Sequence, residues 1–151
     1  MGNNISYISF SMYADEWPAD RFTEESGIIP TEVIYGGKEN SRIKNQRYVE
    51  TVWTIETVAV PDQFTENEEV SLFEQLFTQL RPKIELINQY RAEFNVSCVF
   101  FVHYLNYSAQ TPGLRLSKKV IAFMAKIGAM VDVYIDNETN WEDEENLTVY
   151  Q

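Results

Sequence analysis

Hydrophobic and polar residues alternate from Ser6 to Tyr13, with Ile8, Phe10 and Met12 on one side and Tyr7, Ser9, Ser11 and Tyr13 on the other. A period of two predicts a half-buried strand. Pro18 then opens a short helix, PADRFTEES, and Gly27 is suited to end it as a C-terminal cap before the extended IIPTEVIYGG. The basic stretch GGKENSRIKNQR reads as a surface loop. From Tyr48 to Val60 the chain is rich in β-branched residues and carries Trp53, which predicts a long strand closed by Pro61.

The period changes after Thr65. Thr65 and Glu68 have the spacing of a capping box, ahead of Val70, Phe73, Leu76, Phe77 and Leu80 at helical intervals. Glu66, Glu68 and Glu69 lie in the first turn, where the helix dipole favours acids, so capping accounts for them without any catalytic role. Pro82 removes an amide donor, and the helix is expected to kink or restart there and run on through Ile84, Ile87 and Tyr90. VSCVFFVHYLNY is apolar at both alternating sets of positions, the mark of an interior strand covered on each side. Ser117 starts a further helix with Val120, Phe123, Met124 and Ile127, Gly128 stops it, and MVDVYID alternates again.

Taken in order, these elements predict an α+β domain over residues 1–136, with helices packed on a mixed or antiparallel sheet. The first six follow the ferredoxin-like βαββαβ order, and an αβ unit is added at the end. Residues 137–151 form an acidic C-terminal tail.

SGIIPTEVIYGG, Trp53 within VWTIET, and LSKKVIAFMAKIGAMVDVYI occur in the order found in a bacterial domain-of-unknown-function family, number 4279, which the chain resembles over about residues 5–136. The resemblance implies a small intracellular bacterial protein of α+β fold. It carries no established reaction or cofactor, and it does not account for the tail from Asn137 to Gln151.

Composition narrows the chemistry. Twelve basic against 23 acidic residues give a net charge of -11, which repels phosphate backbones and anionic lipid headgroups; neither nucleic acid nor membrane is an expected partner, and a basic protein is. With a single cysteine, Cys98, no intramolecular disulfide or multi-cysteine zinc site can form. No apolar run is long enough to span a bilayer, and the chain reads as cytoplasmic. The stretch IDNETNWEDEEN invites a calcium reading, but counting from Asp136 puts Trp141 where an EF-hand loop needs glycine and Leu147 where it needs glutamate. No nucleophile elbow and no phosphate-binding glycine loop is present, so no cofactor or metal is expected.

Two sets of residues remain as candidates. Asp132, Tyr134 and Asp136 share one side of the last strand, the two carboxylates about 13 Å apart along it and too distant to share a proton. Joined by Tyr7 and Tyr13 from the first strand, if both strands show the same side, they would form an acidic, tyrosine-bearing surface for a basic protein. An immunity-type inhibitor of a basic toxin is one concrete form of that expectation. The alternative is a hydrolase or small-ligand enzyme in which His103, the only imidazole, works with Asp132 or Asp136. A homodimer stays open as a third arrangement, with Trp17, Trp53 and Trp141 serving either packing or self-association.

Overall fold

The computed structural model describes residues 3–39, 47–57, 66–106 and 114–137. In chain order these form strand β1 (Asn3–Ala14), helix α1 (Ala19–Ser26), strands β2 (Glu32–Ile34) and β3 (Thr51–Glu56), helices α2 (Glu66–Leu80) and α3 (Ile84–Phe94), strand β4 (Ser97–Asn106), helix α4 (Lys118–Lys126) and strand β5 (Met130–Asn137). The strands make one sheet in the order β2-β3-β1-β4-β5. β1 is antiparallel to both neighbours, β2 is antiparallel to β3, and β5 is parallel to β4, so the sheet is mixed and the class is α+β. Parallel neighbours cannot be joined by a tight turn, and α4 is the crossover that this connection needs.

The ends of the helices follow the local chemistry. Gly27 adopts a left-handed conformation, φ 71, and its N–H donates to the Thr23 carbonyl at 2.9 Å, closing α1. Arg81–Lys83 make one 3₁₀ turn between α2 and α3, which is the predicted restart at Pro82. The Ser117 hydroxyl accepts from the Val120 N–H and starts α4. At Gly128, φ 60, a Cβ would overlap the Arg91 guanidinium, so this glycine both ends the helical segment and seats an α3 side chain. Asn95 ends α3 in the same left-handed region, φ 55, a stop that the hydrophobic pattern did not show.

All the helices pack on one face of the sheet. Ile8, Phe10, Met12, Trp53, Ile55, Cys98, Phe100, Val102 and Tyr104 from the strands share a single buried cluster with Phe22 of α1, Phe73 and Phe77 of α2, Tyr90 of α3 and Phe123 of α4. Rings meet edge to face at Phe22–Trp53 and Phe22–Tyr90, and stack at Phe77–Phe123. The polar ends of the large rings are satisfied: Trp17 Nε1 donates to the Thr51 carbonyl at 2.9 Å, and Trp53 Nε1 to the Thr23 hydroxyl at 3.0 Å. Trp17 and Trp53 therefore serve packing and not self-association, with Trp17 only 7% and Trp53 0% exposed. The Tyr90 hydroxyl accepts from Arg21 Nε at 2.9 Å and donates to Glu25 at 2.8 Å, tying α3 to α1.

One expectation changes. β4 is interior in the sheet, but only its Cys98, Phe100, Val102 and Tyr104 side joins the helical core. On its other side Val99 is also buried, and Phe101 and His103 make ring contacts across the sheet. The capping box at Thr65, the loop over 40–46, the end of the predicted strand at 58–60, Trp141 and the acidic tail lie outside the described residues.

Candidate functional site

Because side chains alternate along a strand, the odd-numbered positions of β1 and β4 and the even-numbered positions of β3 and β5 come to the face without helices. The register brings them into rows. Tyr7 pairs with His103 and His103 with Tyr134; Ser9 pairs with Glu56 and Phe101, and Phe101 with Asp132; Ser11 pairs with Thr54 and Val99, and Val99 with Met130. β1 and β5 thus do show the same side.

The first row is a stack of rings. Tyr7 and His103 lie 4.1 Å apart between centroids at 20°, and His103 and Tyr134 5.6 Å apart at 18°. Phe101 closes on both, 6.1 Å from His103 and 5.6 Å from Tyr134. Neighbouring strands are about 4.8 Å apart, so near-parallel rings at these spacings stand on edge with their faces toward one another along the row. His103 is half-buried in this row, and burial lowers its pKa. The Tyr7 hydroxyl is pushed up by burial and then by the nearby Glu56 charge.

In the middle of the face Ser9, Ser11 and Val99 are buried, and the Ser11 and Thr54 hydroxyls share a hydrogen bond of 2.8 Å. The exposed charges at the periphery are Glu32, Glu56 and Asp132. Among the described residues no strand contains a lysine or arginine. Seven of the twelve basic residues sit on the helical layer, at Arg21, Arg91, Lys118, Lys119 and Lys126, and in the turn at Arg81 and Lys83, while Lys38, Arg47 and Arg115 lie in connecting segments.

The structure divides the predicted contact set. Tyr7, Asp132 and Tyr134 come together with His103. Tyr13 lies at the other end of β1, about 20 Å away by the rise per residue, beside a pocket of about 260 Å³ whose lining includes Asp15, Glu16 and Glu50. Asp136 is in register with Leu105, and its side chain lies outside the described residues. His103 faces Tyr134 whereas Asp132 faces Phe101, so imidazole and carboxylate occupy successive rows, about 7 Å apart along the strand. Glu56 and Phe101 belong to the site but were not singled out from the sequence; alternation assigns their side, but only the register shows that they adjoin the tyrosines.

Cys98 is on the helical side, where burial pushes its thiol up to about 12 and leaves it a packing residue. Among the described residues no group of three or more His, Cys, Asp or Glu is placed to hold a metal ion, and no helix is long and apolar enough to cross a membrane.

Residues 3–138 match the family model described as Domain of unknown function (DUF4279). The chain belongs to this family. No curated protein and no solved structure matches it. The DUF4279 match runs from β1 through β5 and so includes every residue of the ring row.

Proposed function

We propose that this DUF4279 domain is a non-enzymatic protein-binding module that engages a basic protein through the sheet face opposite its helices. The observation that carries the reading is the segregation of charge and rings. The described strands hold tyrosine, phenylalanine, histidine and carboxylates but no lysine or arginine, while seven of the twelve basic residues lie on the helices or in the turn between α2 and α3. Aromatic side chains supply contact area with little entropy loss, and acids at the periphery select a positive partner and reject a negative one. An inhibitor that neutralises a basic protein, of the immunity type, is a concrete form of this activity.

Charge steering gives the test. The full-length protein is used to capture its partner, and the association rate is then measured as salt is raised from about 50 to 500 mM, which shortens the Debye length several-fold. A fall of about tenfold or more is expected, and Glu56→Gln with Asp132→Asn should flatten the dependence. A rate indifferent to salt overturns the reading. A chain ending at Asp136 that binds equally well assigns recognition to the sheet and not to the acidic tail.

A further inference from the structure

We infer that β5 is a docking edge: an extended segment of the basic partner adds to it as a sixth strand and sets a cationic side chain against the free face of Tyr134. The inference rests on the basic-partner reading above and specifies how that partner is held.

The two edges of the sheet differ. β2 is only three residues long and follows Pro30, whereas β5 is eight residues long. Natural edge strands are blunted by charged residues, proline, bulges or brevity; β5 has no lysine, proline, bulge or shortness, and its charges, Asp132 and Asp136, repel an acidic strand but not a basic one. No strand among the described residues pairs with its outer side, toward which every second residue turns its N–H and C=O. Its side chains are unusually open for their type: Met130 is 49%, Val133 42%, Tyr134 53% and Ile135 40% exposed.

The ring row gives the edge its direction. Tyr7, His103 and Tyr134 occlude one another's faces in sequence, and among the described residues the row ends at Tyr134 on the edge strand. A strand added about 4.8 Å further out would place its opposing side chain over the outer face of Tyr134. An arginine or lysine in that position gains a cation–π contact, with Asp132 in the adjacent row. On the other side of the same strand lie Val133 and Ile135, with Lys118, Lys119 and Lys126 in the helical layer. Apolar residues suit that side and cations do not. The fitting segment therefore alternates basic and apolar residues, the period that strand addition reads.

A second copy of this chain fits the edge less well. It would bring a β5 that carries Asp132 and no cation, on a molecule of net charge -11 like the first. Like charges facing across a strand pair are destabilising.

The test uses the full chain and a synthetic peptide of alternating arginine and valine. Its two controls are the same peptide N-methylated at alternate residues and a peptide of alternating glutamate and valine. Expected results are chemical-shift changes and slowed amide exchange confined to β5 and the ring row, and about tenfold or greater weakening on N-methylation. Tyr134→Ala, at an exposed position, should leave the melting temperature in place and weaken binding about threefold to tenfold. Failure of the arginine peptide to bind, equal binding of its N-methylated form, or shifts centred on the Tyr13 pocket would overturn strand addition while leaving the basic-partner reading standing. Equal binding of the glutamate peptide would overturn both. A salt-stable dimer in sedimentation whose amide protection falls on β5 would replace the basic segment with a second copy.

Discussion

On its helical side the sheet presents Phe10, Trp53, Phe100 and Val102, each nearly or wholly buried beneath helices; on its other side it presents Tyr7, Ser11, Phe101 and His103, with the rings partly exposed. Both sets come from the same strands at adjacent positions. On the first face the sheet's rings meet helix rings at steep angles, as at Phe22–Trp53, interplanar 89°, while Phe10 and Phe100, neighbours across strands, tilt at 48°. Rings on the second face meet their strand neighbours nearly parallel, as at Tyr7–His103, interplanar 20°. Apolar character alone does not tell which kind of contact a residue will make. A residue that packs between layers is fixed by a helix from elsewhere in the chain, and one that packs within a layer is fixed by register.

Substitutions should separate the two faces by size of effect. Trp53→Ala removes a fully buried ring and strands the Thr23 hydroxyl contact, so a loss of about 3–5 kcal/mol is expected in urea unfolding. A loss below about 1 kcal/mol would mean that the helical layer does not close on the sheet as described. Ser11→Ala, on the other face, breaks the hydroxyl pair with Thr54 and leaves that oxygen partly unsatisfied, with an expected cost of about 1 kcal/mol. A cost near that of Trp53→Ala would show this face to be equally dependent on burial.

The smallest effect is titration of His103. Its folded pKa lies below the ordinary value of 6.5 because burial disfavours the imidazolium. Protonation is therefore easier in the unfolded chain, and the associated stability is complete above about pH 6.5 and lost as pH falls toward the folded value. Urea midpoints from pH 7.5 to 5 should fall less in His103→Phe than in the native chain. Parallel profiles would place the imidazole in water and dissolve the row.

Much of this fold is legible in the sequence because its causes are local. Period two marked β1 and β5, Gly27 and Gly128 marked helix ends, and Pro82 marked the restart between α2 and α3. What escaped was set by distant pairing. Nothing within VSCVFFVHYLNY distinguishes Phe100, which goes under a helix, from Phe101, which stacks toward Tyr134. Glu56 reads as the end of a strand until the register brings it beside Ser9, next to Tyr7. The shared side of β1 and β5 needed the strand order, which a hydrophobic pattern does not contain.

The attachment of β5 also bears on how the molecule comes apart. Among the described residues it is bonded along one flank, to β4, and reaches the remainder of the domain through α4. The β2-β3-β1-β4 group keeps all of its own ladders if the last crossover unit lifts away. Such a terminal unit can open as one block, at the cost of exposing Val120, Phe123, Met124 and Ile127. A guest strand seated on β5 would clamp that unit between two ladders, so occupancy would be felt as mechanical reinforcement of the seam between β4 and β5.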